Sequence, residues 1–468
     1  MAPHAQDIVV SGSESTNTNK SQAYVPSLYH DVDEQDLQQS AREYLANYGI
    51  PLHTDIITGA KDLYVYNSTG HRILDWTSGQ MSCLIGHGHP EIVSVIHDYA
   101  SNLDHLFSAM VSPPVINLAK RLASVLPKPL SKTVFLSTGG ESNEAAIKMA
   151  KIYTGKFEIV GLGASWHGMT AQALSSQYFY GRRGQGPLVP GSHQLPAPNA
   201  YRSIFRHPDG SYDWETELNY GWEMVDRASC GSLAACIVEI IQSTGGMHVL
   251  PPGYLTALKK HCEKRGMLLI IDEAQTGVGR TGDLFAFNHE NVVPDILTLS
   301  KTLGNGIPLS AVVTSPEIDR VCTERGFMFI TTHVNDPMPA AVGDKVLEIV
   351  QRDNLVENSR LMGLHLEAGL KKLQSRYGCV GDVRGRGLMM GMEIVADRDS
   401  KAPSPELAQK LADKIYELGL WANLSSHPVS GGSFRIAPPI TTTRAQIDEG
   451  IEILERALAA TKGSQPLY

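Results

Sequence analysis

The chain has 468 residues, 42% hydrophobic and 19% charged, which is enough apolar material for two or three packed domains and too much for general disorder. Forty Lys and Arg against 49 Asp and Glu leave a formal charge of −9, which argues against a nucleic-acid binder. No apolar run reaches the roughly 18 residues of a membrane-spanning helix. Residues 1–25 hold Lys20 as their only basic group and match neither a secretory nor a transit signal, so a cytoplasmic protein is expected.

In chain order, residues 1–25 read as a polar, mobile tail. Within 26–75, the alternating run Asp62-Leu63-Tyr64-Val65-Tyr66 and the turn Ser68-Thr69-Gly70 predict a hairpin in a segment that joins the smaller domain. Residues 76–345 alternate short apolar runs with helical periodicity and predict a large α/β domain with a buried, mainly parallel sheet. There Val134-Phe135-Leu136 precedes a helix opening near Glu141, whose apolar face uses Ala145, Ala146, Met149 and Ile152. Residues 346–468 read as a small α+β domain with a strand near 388–395 and helices near 406–418 and 446–458. The six cysteines show no C-x-x-C spacing and the 17 histidines no H-E-x-x-H, so neither disulfides nor a zinc motif is expected.

Three polar sites fall at strand ends in the central block: Thr138-Gly139-Gly140, Asp272 and Lys301. Singly, each has a plain reading as a tight turn, a helix cap or a surface charge. Jointly they answer the needs of pyridoxal 5′-phosphate: a helix N-terminus for the phosphate, an acid for the ring nitrogen and a lysine for the aldehyde.

The run Ile270-Ile271-Asp272-Glu273-Ala274-Gln275-Thr276-Gly277-Val278-Gly279-Arg280-Thr281-Gly282, then Pro294-Asp295-Ile296 and Ser300-Lys301, resembles the class III (subgroup II) pyridoxal-phosphate aminotransferases. The likeness covers nearly all of residues 40–460. It implies the fold type I architecture, with a large seven-stranded domain and a small domain built from both chain ends. It also implies that Lys301 forms the Schiff base, Asp272 pairs with the ring nitrogen and Gln275 neighbours the ring hydroxyl. By the same likeness Thr138, Gly139, Gly140 and a second copy's Thr332 hold the phosphate, while Trp166 and Ala274 sandwich the ring. Homodimers with shared active sites, paired into dimers of dimers, follow from the resemblance too.

Within that family the chain most resembles the 2,2-dialkylglycine decarboxylases. The likeness lies in Thr77-Ser78-Gly79-Gln80-Met81-Ser82, Ser165-Trp166-His167-Gly168-Met169-Thr170, Thr331-Thr332-His333-Val334-Asn335-Asp336-Pro337 and Phe434-Arg435-Ile436-Ala437-Pro438-Pro439. The expected activity is then decarboxylation-dependent transamination of a dialkylglycine such as 2-aminoisobutyrate with pyruvate. The alternative is transamination of amines or amino acids without decarboxylation. Gln80 would hold the departing carboxylate with a neutral amide and Arg435 would hold a retained one, with Met81, Trp166, Met169 and Thr244 lining the substrate space. Thr244 stands where ω-amino acid aminotransferases carry a Glu that masks this arginine, which leaves Arg435 open to α-carboxylates. The resemblance further implies an alkali cation, potassium or sodium, on Ser108 and Asp336 side chains and the carbonyls of Leu106, Thr332 and Val334. Gln242 and Ile240 depart from the decarboxylase pattern.

Overall fold

The computed structural model describes residues 33–178, 184–427 and 431–461; the polar tail lies outside the described residues. The chain enters through an antiparallel sheet of β1 (Ile57–Lys61), β2 (Tyr64–Asn67) and β3 (Arg72–Asp75), with the Gly70 turn between the last two, as the alternation predicts. β3 then pairs in parallel with the far-off segment Leu420–Trp421. Trp76 continues this tie, since its N–H donates to the Trp421 carbonyl (2.9 Å) and its carbonyl accepts from Ala437 N–H (2.6 Å).

The central sheet has seven strands: β4 (Lys132–Leu136), β5 (Glu158–Leu162), β6 (Ser192–Leu195), β7 (Leu233–Val238), β8 (Leu268–Asp272), β9 (Ile296–Leu299) and β10 (Ser310–Thr314). Their order is β4-β10-β9-β8-β7-β5-β6, and only β10 runs antiparallel to its neighbours. β5, β7, β8, β9 and β10 are buried at every residue, which is why they read as unbroken apolar runs rather than as alternation. The parallel strands bring their carboxyl ends to one edge, where ligands bind in open α/β sheets. The helix after β4, α1 (Gly139–Thr154), lays Ala145, Ala146, Met149 and Ala150 against the sheet.

Helices α2 (Pro337–Arg352) and α3 (Leu355–Arg376) lead to an antiparallel sheet of β11 (Val380–Arg386), β12 (Met389–Asp397), β13 (Asn423–His427) and β14 (Gly431–Ile436) in the order β11-β12-β14-β13. Ala402–Pro403 adds a short strand beside β12. Helices Pro405–Glu417 and Arg444–Thr461 pack on this unit. β14 carries Arg435, and its register with β13 fixes Arg435 opposite Asn423.

Candidate active site

The phosphate end is built by capping. Thr138 sits extended after β4, and its hydroxyl accepts from the Glu141 N–H (3.3 Å). The Glu141 carboxylate in turn accepts from the Ser137 and Thr138 N–H groups (2.9 and 3.0 Å). This reciprocal cap leaves the first-turn amides of Gly139 and Gly140 without an acceptor inside the helix. A Cβ on Gly139 would lie 2.9 Å from Ser300 Oγ, so glycine keeps open the gap between helix and lysine loop. Ser300 Oγ is itself buried without a hydrogen-bond partner. Free amides, a helix N-terminus and an orphaned hydroxyl facing one gap fit a phosphate dianion.

The lysine end is a buried charge network. Asp272, at the last residue of β8, accepts from Asn143 Nδ2 (2.8 Å), His167 Nδ1 (2.9 Å) and Ala274 N–H (3.0 Å). Burial works to raise its pKa, but the His167 hydrogen bond and charge hold the carboxyl below its ordinary value. Asn143 is held by Thr298, whose hydroxyl donates to Asn143 Oδ1 (2.7 Å), and it also donates to the His167 carbonyl (2.7 Å). Glu239, just past β7, accepts from Trp166 N–H (2.7 Å), and burial pushes its carboxyl up to about 7. Lys301 follows β9 in the left-handed region (φ 33°), a conformation that costs a non-glycine residue about 1–3 kcal/mol and is retained mainly where function needs it. Burial lowers its pKa, while Asp272 and Glu239 act in the opposite sense.

The far end is built around Arg435. Its guanidinium donates to Ser243 Oγ, Asn423 Oδ1 and Gln275 Oε1, each at 3.0 Å, and meets Met81 Sδ at 3.5 Å. All four partners are neutral, and among the described residues no carboxylate lies within ion-pair distance. Burial brings its pKa down to about 10. Thr244 is half-buried, and its carbonyl accepts from Ser425 Oγ (2.6 Å). The resident partners of Arg435 are therefore all uncharged.

Gln80 rides on a tight turn against this end. Ser78, Gly79 and Met81 all have positive φ (45°, 67° and 60°). Asp75 accepts from the Thr77 and Gly79 N–H groups (2.9 and 2.6 Å), and Arg280 donates to Ser78 Oγ (3.1 Å) and to the Pro438 carbonyl. Ser78 Oγ donates to the Ala437 carbonyl (2.8 Å), which ties the turn to the end of β14. Met81 is buried in contact with Arg435, and the Gln80 side chain is exposed.

The remaining expected residues divide. Ala274 is buried beside Asp272, Trp166 is half-buried beside Glu239, and Met169 is exposed. Gln275, expected at the ring hydroxyl, reaches Arg435. Thr332 is exposed, and Leu106 and Ser108 are half-buried. Val334 and Asp336 are buried, and both Asp336 oxygens meet histidines, His105 Nδ1 at 2.6 Å and His333 Nδ1 at 2.5 Å. The sequence reading assigned no role to Asn143, His167, Thr298, Ser243 or Asn423. Asn143 and Thr298 show a polar side chain inside a buried helix or strand, whereas His167 and Ser243 lie in loops and Asn423 opens the polar strand β13.

Comparison with known proteins identifies the family. Residues 46–458 match the family described as Aminotransferase class-III. The chain is 52% identical over 421 residues to an uncharacterized aminotransferase of Schizosaccharomyces pombe, covering 90% of this chain and 94% of that one. It is 31% identical over 414 residues to the mitochondrial alanine–glyoxylate aminotransferase 2 of Homo sapiens (84% and 80% covered). The solved (S)-enantioselective ω-transaminase of Thermomicrobium roseum superposes with a TM-score of 0.85 at 32% identity, covering 91% and 98%. The phosphate cradle, the ionised Asp272 and the buried lysine fit pyridoxal 5′-phosphate, the cofactor expected of such enzymes. The chain belongs to the class III aminotransferases, with the fold type I architecture.

Proposed function

We propose that this enzyme moves an amino group between an α-amino acid and a 2-oxo acid, with Arg435 as the grip on the substrate carboxylate. The observation that carries this reading is the neutral cage of Ser243, Asn423 and Gln275 around a buried guanidinium. A buried cation with no counter-ion is costly, and an incoming carboxylate relieves the cost through paired charge-assisted hydrogen bonds. The names of relatives such as alanine–glyoxylate aminotransferase support the same substrate class.

When bound, pyridoxal phosphate supplies an electron sink for the bond broken at the substrate's α-carbon. Thr138, Gly139, Gly140 and Ser300 would hold its phosphate, and Asp272, kept ionised by His167 and Asn143, would pair with its ring nitrogen. Lys301, with its pKa lowered by burial, takes and returns a proton at Nζ. Arg435 turns the substrate so that the bond to be broken stands where it can react, and orientation selects the product. Two copies are expected to pair, so that Thr332 of one completes the phosphate cup of the other. The exposed Phe107, Met110, Val111, Met328 and Ile330 support such pairing.

A second reading, decarboxylation-dependent transamination of 2,2-dialkylglycines, is favoured by the Gln80 turn. Three left-handed residues braced by Asp75 and Arg280 present a neutral amide next to Arg435's neighbour Met81. A neutral donor suits a carboxylate whose charge disperses as CO2 departs. The alkali cation that accompanies this reading would share Asp336 with two imidazoles.

Incubating the holoenzyme with alanine and glyoxylate, and separately with 2-aminoisobutyrate and pyruvate, tests both. Amino transfer in the first mixture supports the main reading. Failure with every α-amino acid in a panel, alongside turnover of carboxylate-free amines, would sink it. CO2 release in the second mixture, reduced about 10²-fold by Gln80→Ala, supports decarboxylation; no CO2 removes it.

A further inference from the structure

The strand register sets one neutral residue directly beside the buried arginine. Asn423 opens β13 and pairs with Arg435 across the β13–β14 ladder. Its Oδ1 accepts from Arg435 Nη1 at 3.0 Å. A guanidinium carries donors only, so the amide must turn its oxygen toward Arg435. The backbone N–H of Asn423 donates to Thr77 Oγ1 (3.1 Å), which fixes this strand end to the segment that carries Gln80. Register and backbone together hold the amide in place, since a cross-strand partner is set by the ladder rather than by side-chain choice.

Aspartate has the same shape as asparagine, so packing alone does not select the amide here. A carboxylate at this position would answer the buried guanidinium with a charge-assisted pair, about twice as strong as a neutral hydrogen bond. The chain forgoes that gain at a cation whose other resident partners are also uncharged. The other oxygen partners offer no such clean exchange. Ser243 has no acid counterpart of equal shape. Gln275 shares its loop with Asp272, which already accepts the Ala274 N–H there. Asn423 is thus the partner at which the choice between charge and neutrality is made with geometry held constant.

We propose that Asn423 is a positioning residue that decides substrate class: its uncharged oxygen aims the Arg435 guanidinium and leaves the charge for an α-carboxylate. The inference rests on the reading of Arg435 as the carboxylate grip. Asn423→Asp should then raise stability and lower acid binding together, a pairing that no change of shape produces.

The test titrates propionate, an inert monocarboxylate, into the holoenzyme by calorimetry. Binding should be about 10²-fold weaker in Asn423→Asp and about fivefold weaker or less in Asn423→Ala. The ratio of kcat/KM for α-amino acids to that for carboxylate-free amines should fall in the same order, through KM more than kcat. The melting midpoint of Asn423→Asp should rise, and the rise should vanish when Arg435→Gln is added. Equal weakening in the two Asn423 variants, an unchanged or lower melting midpoint, or failure of Asn423→Asp to fold each overturns the proposal. Arg435→Gln, run alongside, separates the two ideas. If it binds propionate as the unmodified holoenzyme does, the reading of Arg435 falls and this inference with it. If it loses propionate while Asn423→Asp retains it, only this inference falls.

Discussion

The two ends of the candidate active site treat charge in opposite ways. At the lysine end the charges are resident: Asp272 is held ionised by His167 and Asn143, and its field together with that of Glu239 supports Lys301. At the far end Arg435 is almost as deeply buried, yet its partners are a serine, an asparagine and a glutamine. On the proposed function, the difference separates a charge that must stay matched through every turnover from one whose match arrives with each substrate. A permanent carboxylate beside Arg435 would compete with the substrate, and a missing one beside the ring nitrogen would leave nothing to keep it protonated.

The largest effect should come from breaking the resident side. Asp272→Asn keeps the shape but removes the charge, and should slow turnover of every substrate by about 10³-fold, read as kcat in both half-reactions. Arg435→Gln should cost about 10²-fold in kcat/KM for carboxylate-bearing donors and leave carboxylate-free amines nearly unchanged. Equal losses on both classes would erase the proposed contrast between the ends. The smallest effect concerns Glu239, raised by burial from 4.5 to about 7. A carboxyl raised in the folded state contributes stability that is complete below its unfolded pKa and is lost as pH climbs through the folded one. Thermal stability should therefore fall between about pH 4.5 and 7 from this source, and Glu239→Gln should reduce that slope. It should not abolish the slope, because Glu273 is raised to about 7 by burial as well.

The same contrast explains what was legible in the sequence. Lys301, Asp272 and the Gly139-Gly140 pair stand out because each interrupts an apolar strand's end with a group that packing alone does not require. Asn143 in a helix, Thr298 in a strand and His167 in a loop escape notice, since a buried polar residue shows its partner only when three segments meet. The cage of Arg435 draws Ser243, Gln275 and Asn423 from positions about 180 residues apart at the extremes, so no local pattern announces it. The β8 and β9 runs predict their strands by unbroken hydrophobicity, whereas the tie of β3 to Leu420–Trp421 has no signature in either segment. Gln80 was legible only through resemblance, and the His105–Asp336–His333 cluster was not foreseen, because its histidines are 228 positions apart.

That tie between β3 and Leu420–Trp421 also bears on biosynthesis. A nascent chain has its lysine and phosphate cradle outside the ribosome well before β14 is translated. Until then β3 has an open edge, and the future pocket lacks Arg435. On the proposed function, the means of telling an acid from an amine is thus completed late, when Leu420–Trp421 and the strand that carries Arg435 are stitched against β3 and Trp76.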